Sequence, residues 1–478
     1  MIENNHYLKD HESKNQENHD DLDVLNHSAS HVMAAAISHI YPGAKFAIGP
    51  SIKNGFYYDI DLEKTVVPED LKNIEKEMEK IIKQDFTFEY SKLPKKEARV
   101  LFKNNPYKLE LIDEIKDDYV SIYKTGDFID LCAGPHVSST KSIGAFKLLS
   151  IAGAYWRGSE KNKMLTRIYG TAFYNKSDLK KYLEKIEKAK KSDHRVIGKT
   201  LDLFTFHDEA PGFPFFHPKG MIIQNEILSY WRKEHLAEGY QEIKTPVILS
   251  NELWKTSGHW DNYKDNMYFV SIDECEYAIK PMNCPGAILI YKANQHSYKE
   301  FPIRYAELGL VHRHEKSGVL HGLFRVRNFT QDDAHIFCLE TQLKEEINKV
   351  IDLVDKVYRV FGFNDYHVEL STRPLKRIGS DAIWDKAEAS LKEVIDSKKL
   401  NYKINEGDGA FYGPKIDFHI KDCLDRTWQC ATIQLDFSMP EKFDLEYTGE
   451  DNNRHRPVML HRVVLGSIER FIGILIEH

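Results

Sequence analysis

Residues 304–315 read RYAELGLVHRHE, and their pattern limits which fold class the chain can adopt. Alternation along a strand places Arg313 and Glu315 on one face. A guanidinium can hold a phosphate through forked, charge-assisted hydrogen bonds. A carboxylate two residues later can accept a hydrogen bond from an adenine amino group. The segment therefore predicts a strand that ends in a nucleotide-binding pair.

Two later segments add cations to this pair. Residues 324–329, FRVRNF, predict a returning strand that carries Arg325 and Phe329. Residues 466–470, GSIER, predict a helix start with Arg470 facing the same cavity. Arginines that converge on phosphates stabilise the charge that builds up there when an adenylate forms. Each arginine alone is more commonly a surface ion pair, so the interpretation depends on all three.

The second half of the chain has many strands but few regular strand–helix–strand units. This favours an antiparallel sheet of the α+β class over a parallel dinucleotide-binding fold. Neither a G-x-G-x-x-G nor a Walker A sequence is present, so a nucleotide must be held by other groups. The predicted strands cover residues 303–312, 323–329, 410–420 and 429–437. The predicted helices cover 221–236 and 343–357, and a last helix begins near Arg462 and runs to the end.

The pattern of apolar and polar residues along the sequence divides the chain into four segments. An alternating strand begins at Gly55, and Pro68 opens an amphipathic helix. Ser177 is predicted to cap a helix with so few apolar positions that it reads as a linker. The segments are a polar tail (1–23), a first domain (24–175), a linker helix (176–202) and a second domain (203–478).

Bulk composition limits the class of protein. The 478 residues are 42% apolar and 29% charged, as in ordinary globular chains. No run approaches about 18 apolar residues, and the polar N-terminus lacks a signal-peptide core, so we expect a cytoplasmic protein without membrane spans. Six scattered cysteines do not indicate a disulfide framework. The net charge is −7, and the basic run 180–195 is either a solvated helix face, the favoured reading, or a phosphate-binding patch.

The three cation-bearing segments resemble motifs of class II aminoacyl-tRNA synthetases. The Arg313 strand and the returning Phe/Arg segment resemble motif 2, and residues 466–470 resemble motif 3. The helix before Thr245-Pro246 resembles motif 1, which forms the dimer interface in that family, so a homodimer is implied. By this resemblance, ATP would bind as its Mg²⁺ complex. The residues that would bind it are Arg313, Glu315, Arg325, Phe329, Gln429 and Arg470.

A dispersed Cys/His/His set extends the resemblance to the threonyl-tRNA synthetases. Spacing alone does not identify Cys284, His335 and His461 as a site, because a lone histidine is usually structural. They match the positions that hold one zinc ion in that family, and three protein ligands leave a coordination position open. Zinc that binds an amine and a hydroxyl together would reject valine, which an apolar pocket discriminates from threonine by only about 10²-fold.

The same resemblance implies the substrates L-threonine, ATP and tRNA(Thr) and assigns the rest of the pocket. Asp333 would bind the threonine hydroxyl. Lys415 would offset carboxylate or phosphate charge and would form the catalytic set with Arg313, Arg470 and His259. His259 matches a position near the terminal ribose of tRNA, and a hydrogen-bonded loop histidine is the alternative. The remaining threonine-binding residues are Met282, Gln331, Tyr412 and Gln434.

A second cluster lies in the first domain. His27 and His31 share a helix face, and Cys132 and His136 repeat the spacing, so a zinc tetrad is one interpretation. In threonyl-tRNA synthetases these positions instead form a hydrolytic editing site, related to an alanyl-tRNA editing fold, that acts on seryl-tRNA without needing zinc. Serine lacks one methyl group, worth only about 1–3 kcal/mol, so selection at the zinc is insufficient. Tyr58, Lys108 and Asp130 match further editing positions, and Ala133 departs from the arginine usual there.

The resemblance covers residues 24–478. The ubiquitin-like N-terminal domain and the anticodon-binding C-terminal domain usual in the family are not seen, so a truncated chain is expected. Three other functions are alternatives: a prolyl- or seryl-specific relative, a synthetase-like RNA-binding regulator, and a stand-alone deacylase. A regulator would be expected to lack motif arginines or zinc ligands, which this chain retains. A deacylase would not need residues 206–478.

Overall fold

The computed structural model describes residues 21–53, 55–159, 161–422 and 426–478. They form two compact units, divided between Lys185 and Ile186. Most of the predicted polar tail lies outside the described residues, and its last three residues belong to the first helix. Within the described ranges, no helix is both long and apolar enough to cross a bilayer.

The first unit packs a long helix and a shorter one against a twisted antiparallel sheet. Its helices are α1 (Asp21–Ile40), α2 (Leu71–Lys83), α3 (Lys95–Leu101) and α4 (Pro106–Glu114). Its strands are β1 (Lys45–Phe46), β2 (Ser51–Ile52), β3 (Gly55–Asp61), β4 (Glu89–Pro94), β5 (Tyr119–Thr125), β6 (Phe128–Leu131), β7 (Ala145–Tyr155) and β8 (Met164–Phe173). The main sheet has the order β1-β3-β8-β7 with β2 on β3, and β4-β5-β6 form a second sheet.

The predicted strand at Gly55 and the helix after Pro68 are confirmed in this unit. Pro68 starts a 3₁₀ turn that leads into α2, and α2 buries one stripe of apolar residues. Most of α1 is buried, and its alanines let the sheet approach closely. The histidines at positions 27 and 31 therefore project from a helix that is fixed by the core.

The second unit is built on an eight-stranded sheet. Its helices are α6 (His194–Leu201), α7 (Pro218–Ala237), α8 (Asn251–Ser257), α9 (His259–Tyr263), α10 (Cys284–Lys292), α11 (Leu343–Val360), α12 (Asp381–Ser397), α13 (Ser438–Lys442) and α14 (Ile468–Glu477), after α5 (Lys176–Ser192), which spans the division. Its strands are β9 (Phe204–Thr205), β10 (Phe215–Phe216), β11 (Gln241–Glu242), β12 (Ile248–Ser250), β13 (Tyr268–Ile272), β14 (Cys275–Ile279), β15 (Ile303–His312), β16 (Asn328–Cys338), β17 (His367–Ser371), β18 (Tyr402–Asn405), β19 (Lys415–Lys421), β20 (Thr427–Asp436), β21 (Tyr447–Thr448), β22 (Arg454–His455) and β23 (Val458–Ser467).

The eight-stranded sheet is almost entirely antiparallel, as predicted. Its order is β11-β15-β16-β23-β20-β19-β17-β18, and only the two edge pairs are parallel. On β16, Ala334 and Ile336 join the large core that includes α11 and α12. Asp333 and His335 alternate with them and so face the opposite side of the sheet. That opposite face carries the polar groups described below.

The predicted linker helix is two helices. α5 ends at Ser192, and Asp193 caps α6 by accepting a hydrogen bond from the Arg195 amide. The predicted cap Ser177 lies inside α5, and Asn175 instead accepts a hydrogen bond from the Asp178 amide. Both side chains suit a helix N-terminus, so sequence alone could not rank them.

Four boundaries in the second unit differ from prediction. The strand predicted over residues 410–420 begins only at Lys415, after a turn. Residues 321–325 form a turn, and the returning strand starts only at Asn328. The last helix begins at Ile468, because residues 458–467 form β23. Both faces of β23 are buried, so its sequence lacks the alternation of apolar and polar residues that indicates a strand. Arg313 and Glu315 follow the end of β15, where the Glu315 amide bonds back to the Arg313 carbonyl and bends the chain.

Candidate functional site

One row of polar side chains crosses the face of the large sheet opposite the core that includes α11 and α12. His335 on β16 lies opposite His461 on β23, and His461 lies opposite Gln434 on β20. Gln434 in turn lies opposite Lys415 on β19. Directly opposed residues share a face, so four residues that are far apart in sequence become neighbours through strand register.

The predicted metal ligands come together at one end of this row. Cys284 starts α10, and its Sγ and one ring nitrogen each of His335 and His461 lie within 4.8 Å of one another. All three side chains are buried. Among the described residues, neither ring nitrogen of His335 has a hydrogen-bond partner. An unsatisfied buried imidazole is costly, whereas one thiolate and two imidazoles suit zinc, so the residues present fit a zinc ion.

Asp436 is a member of this site that the sequence analysis missed. Its Oδ2 lies 2.9 Å from His461 Nε2, which leaves His461 Nδ1 as the available ligand atom. Its Oδ1 accepts hydrogen bonds from the Ser438 and Met439 amides at 2.7 and 2.9 Å, so the carboxylate is held rigidly. A carboxylate behind a ligating histidine is a common outer-shell partner. The available signal was its place two residues after Gln434, on the same strand face.

The predicted amino-acid pocket borders the metal ligands. Asp333 accepts a hydrogen bond from Asn283 Nδ2 at 3.2 Å, and burial raises its pKa to about 6. The Tyr412 ring lies 5.1 Å from that of His461. Gln434 Nε2 donates to the Gly413 carbonyl, and Gln331 faces Ser467 across the β16–β23 pair. Asp333, Tyr412 and Gln434 therefore lie close to the Cys284–His335–His461 cluster, and Asn283 is a neighbour that was not predicted.

His259 lies deeper than a loop histidine would. It is fully buried, its Nε2 lies 2.9 Å from Met282 Sδ and 3.9 Å from Cys284 Sγ, and its Nδ1 lies 2.7 Å from Ser257 Oγ. Burial lowers its pKa to about 3, with a smaller contribution from the His461 charge. The ring is therefore neutral at physiological pH.

Three arginines converge as predicted, although two of them lie on loops. Arg470 near the start of α14 has a lowered pKa, mainly through burial and also through the charges of Arg325 and Arg313. Its Nε donates to the Phe324 carbonyl, and its NH1 donates to the Gln429 carbonyl. The charges of Arg325 and Arg313 thus oppose that of Arg470, and a bound anion such as a triphosphate would offset all three.

Hydrogen bonds to backbone carbonyls hold Arg313 of this cluster and the neighbouring Arg327. Arg313 Nε donates to the Pro281 carbonyl at 3.1 Å, and its guanidinium lies 5.1 Å from the Phe329 ring centre. Arg327, which sequence analysis missed, donates from Nε to the Glu315 carbonyl at 2.9 Å. Arg327 therefore holds the loop that presents Glu315.

Lys415 lies at the other end of the polar row. Its Nζ lies 2.5 Å from Asp417 Oδ2 and 3.0 Å from Asp408 Oδ2. Burial lowers the pKa of Lys415, but Asp417 and Asp408 more than offset this and raise it overall. The Gln429 side chain donates to Asp417 Oδ1, and the Gln429 backbone carbonyl accepts from Arg470, so Gln429 links Asp417 to the arginine cluster.

The predicted cluster of the first unit is also brought together. Cys132 Sγ lies 3.4 Å from His27 Nε2 and 3.4 Å from His136 Nε2, and the four potential ligand atoms, including one of His31, lie within 4.8 Å of one another. The opposite ring nitrogens of His27 and His136 contact the Pro135 carbonyl and Ser28 Oγ. This arrangement could hold a metal ion, and burial raises the Cys132 pKa to about 12 in its absence.

A buried charge network adjoins these four residues. Lys108 Nζ lies 2.5 Å from Asp130 Oδ1 and donates to Tyr58 Oη at 3.3 Å, and Tyr58 Oη donates to Asp130 Oδ2. His31 Nε2 lies 3.8 Å from Asp130 Oδ2. Burial holds the pKa of His31 well below its ordinary value, followed by the charges of His27 and Lys108. All seven predicted residues thus belong to one site.

Two aromatic residues of this site were not predicted. The Phe88 ring stacks on His136 with centroids 4.8 Å apart, and the Tyr123 ring meets His136 edge-on at 4.5 Å. Tyr123 also lies over Gly134, whose positive φ and lack of a Cβ allow the close approach. Isolated aromatic residues carry no sequence signal that distinguishes a site wall from a core.

Comparison with known proteins identifies the two parts of the chain. Residues 268–478 match the model of the tRNA synthetase class II core domain (G, H, P, S and T). Residues 120–169 match that of the threonyl and alanyl tRNA synthetase second additional domain. The matched ranges include the Cys284 cluster and the Cys132–His136 segment, respectively.

Curated and solved relatives agree with these family models. The chain is 65% identical over 441 residues to the threonine–tRNA ligase of Carboxydothermus hydrogenoformans, covering 92% of this chain and 69% of that protein. It is 64% identical to the Clostridium tetani enzyme of the same name, again covering 92% of this chain and 69% of that protein. It resembles the crystal structure of the RNA binding domain of threonyl-tRNA synthetase from Cryptosporidium parvum Iowa II, with a TM-score of 0.59 and 44% identity over 60% of this chain and 72% of that one. The chain belongs to the threonine–tRNA ligases, a family of class II aminoacyl-tRNA synthetases.

Proposed function

We propose that the second unit activates L-threonine with ATP and Mg²⁺ and transfers it to tRNA(Thr), and that the first unit hydrolyses seryl-tRNA(Thr). The observation that carries the proposal is the Cys284–His335–His461 cluster beside the three convergent arginines. A metal cluster without the arginines would fit many functions. Arginines without the cluster would fit any class II synthetase.

Cys284, His335 and His461 would hold one zinc ion per chain. Bound zinc would supply open coordination positions that take an amine and a hydroxyl together. Asp333, held by Asn283, is placed to accept a hydrogen bond from that hydroxyl. Valine presents no hydroxyl and would leave this carboxylate unpaired, which costs more than the loss of shape complementarity alone.

Arg313, Arg325 and Arg470 would bind the phosphates, and Glu315 the adenine amino group. Backbone carbonyls hold the guanidinium groups of Arg313 and Arg470, so these two need little rearrangement when charge develops on the phosphates. Lys415, at the far end of the row, would offset the charge of the carboxylate that attacks the α-phosphate. His259, which matches a position near the terminal ribose of tRNA, would assist the transfer step through its hydrogen bonds.

In the first unit, Lys108 and the neutral histidines would support attack by water on the seryl ester. Burial raises the pKa of the Cys132 thiol to about 12, which disfavours the thiolate that a covalent thioester route would need. Lys108 is a fixed buried cation that can stabilise an oxyanion, and the buried His31 ring, whose Nδ1 has no partner among the described residues, can hydrogen-bond the attacking water. Four ligand-like atoms in this site leave a metal-assisted version as the second candidate.

We also propose that the protein works as a homodimer in the cytoplasm. Ile222 and Leu236 on α7, the helix that resembles motif 1, are 63% and 77% exposed. Apolar side chains on one helix support an interface with a second copy. The cytoplasmic location follows from the proposed substrates, tRNA and ATP.

The deciding experiment is ATP–pyrophosphate exchange with a panel of amino acids, combined with metal analysis. We expect the fastest exchange with threonine, slower exchange with serine, none with valine, and about one zinc per chain. Fastest exchange with proline, or with serine over threonine, would assign the chain to another specificity. Seryl-tRNA hydrolysis without any exchange would indicate a deacylase, and tRNA binding without either activity a regulator.

A further inference from the structure

His194 is a fully buried histidine to which neither proposed activity assigns a role. It is the first residue of α6, and its side chain is completely inaccessible to solvent. Asp193, His194 and Glu477 approach closely enough to resemble a metal site. Both ring nitrogens of His194 are already in hydrogen-bonding contacts, however, so the ring has no free lone pair for an ion.

The two contacts determine which ring nitrogen carries the proton. Leu323 donates its amide hydrogen to His194 Nε2 at 3.0 Å, so Nε2 must be unprotonated. His194 Nδ1 lies 2.7 Å from Glu477 Oε1 and must then be the donor in that bond. Glu477 Oε1 also accepts a hydrogen bond from the His194 amide at 3.1 Å. A carboxylate that fixes the tautomer of an imidazole is a familiar orienting device.

The amide that His194 binds belongs to the turn at residues 321–325. The neighbouring Phe324 ring lies 4.2 Å from the His194 ring, centre to centre. The Phe324 carbonyl accepts the hydrogen bond from Arg470 Nε at 2.9 Å. His194 and Arg470 therefore hold two consecutive residues of one turn, and the next residue is Arg325, another cation of the cluster.

The glycine in this turn supports the same interpretation. Gly322 has a φ of +49°, and a Cβ at this position would lie 2.2 Å from His194 Nε2. The imidazole thus occupies the space where a side chain would be. Packing of this kind positions the turn more tightly than the hydrogen bond alone would.

We propose that His194 is a positioning residue of the ATP site. It holds the 321–325 turn so that the Phe324 carbonyl orients Arg470 and Arg325 remains beside it. The proposal rests on the proposed function, because its kinetic consequence requires that this cluster binds ATP. Its structural consequence, protection of the Leu323 amide, does not depend on any activity.

Two substitutions separate the roles of the two ring nitrogens. His194→Asn retains a polar atom near Nδ1 but removes the acceptor for Leu323, whereas His194→Gln can place an oxygen near Nε2. The matched control is His296→Asn: His296 is also buried, lies 2.9 Å from a carboxylate oxygen of Glu300, contacts a backbone carbonyl and packs on Tyr291, but contacts no member of the arginine cluster in the described structure.

The measurements are hydrogen–deuterium exchange at the Leu323 amide and the kinetics of ATP–pyrophosphate exchange with the full chain. For His194→Asn we expect faster amide exchange and a KM for ATP raised roughly five- to tenfold, as for the loss of about 1 kcal/mol of hydrogen bonding, with the KM for threonine nearly unchanged. We expect His194→Gln to lie closer to the wild type and His296→Asn to change neither quantity.

Unchanged Leu323 protection in His194→Asn would refute the positioning role, and so would equal increases in the KM values for ATP and threonine. Should His194→Asn fail to fold, Glu477→Ala tests the same tautomer, because it removes the oxygen that accepts from Nδ1, and it should still speed Leu323 exchange; wild-type protection in that variant would refute the proposal. Absence of pyrophosphate exchange in the wild type would refute the proposed function instead, while amide exchange would still decide the role of His194.

Discussion

His461 Nε2 lies 2.9 Å from Asp436 Oδ2, on the side of the ring away from the metal-binding cluster. Removing the carboxylate in Asp436→Ala should free the imidazole to rotate and lower zinc affinity by about 10–100-fold. Competition with a chromophoric chelator measures this. Glu300→Ala, which breaks a carboxylate–histidine contact elsewhere in the same unit, is the control. Equal zinc affinity in Asp436→Ala and the wild type would exclude an orienting role.

Substitution of the thiolate ligand should abolish both zinc binding and threonine activation. Cys284→Ala leaves two imidazoles, which are too few for a stable site. We expect less than about a tenth of the wild-type zinc content per chain, and no threonine-dependent exchange. Cys338→Ala is the matched control, because Cys338 is buried on the same strand as His335 but packs in the core on the opposite face. A Cys284→Ala protein that retains zinc would contradict the ligand assignment.

Loss of one of the three convergent arginines should slow the exchange reaction, mainly by destabilising its transition state. Arg470→Ala removes a buried guanidinium that two backbone carbonyls hold in place. We expect kcat/KM for ATP in the exchange reaction to fall by about 10²–10³-fold. Arg359→Ala, at an exposed ion pair with Asp355, should leave it unchanged. Similar activity in both variants would mean that ATP binds elsewhere.

Glu469, next to Arg470, should make the stability of the second unit depend on pH. Burial raises its pKa from 4.5 to about 7, despite hydrogen bonds from the Thr330 amide and Ser467. The folded state therefore holds the proton more tightly than the unfolded state, so the stabilisation is complete below about pH 4.5 and is lost as pH rises to about 7. In Glu469→Gln the free energy of unfolding should no longer fall with pH in this way; the difference from the wild type should reach up to about 3 kcal/mol.

Unfolding in denaturant at pH 5 and pH 7.5 tests this expectation. The free energy of unfolding of the wild type should fall relative to that of Glu469→Gln between the two values. The reverse trend would show that the carboxylate is stabilised in its charged form. Glu393→Gln, at an exposed ion pair with Lys344, should show no comparable difference.

The first unit should lose its activity without affecting the second. Lys108→Met keeps the length of the side chain but removes the buried cation paired with Asp130. We expect hydrolysis of seryl-tRNA to fall by about 10²-fold or more, while threonine activation stays at the wild-type level. Lys163→Met, at an exposed pair with Asp61, is the control. Loss of both activities in Lys108→Met would contradict the separation into two sites.

Sites formed by residues close together in sequence could be predicted, whereas those that depend on the pairing register of strands could not. The spacing of His27 and His31 required only a helix, and α1 supplies it. The opposition of His335 and His461 depends on which residues of β16 and β23 pair, and that is decided by the whole sheet. Spacing therefore left the metal ligands unconnected, and only the family resemblance joined them.

Boundary errors arose where burial removed the periodic signal. The residues before Ile468 are apolar on both faces because β23 lies in the middle of the sheet, so they read as part of the helix. Asp436, Asn283 and Arg327 were missed because they act through other residues, and such partners are recognised only when their contacts are known.

The opposition of His335 and His461 has a consequence for the folding of the chain. A slip of β23 by one residue would turn His461 to the far side of the sheet, and the ligand set would be incomplete. Only correctly paired molecules could then hold the proposed zinc ion. Under the proposed function, accuracy in choosing the amino acid and accuracy in assembling the central sheet thus depend on the same two imidazoles.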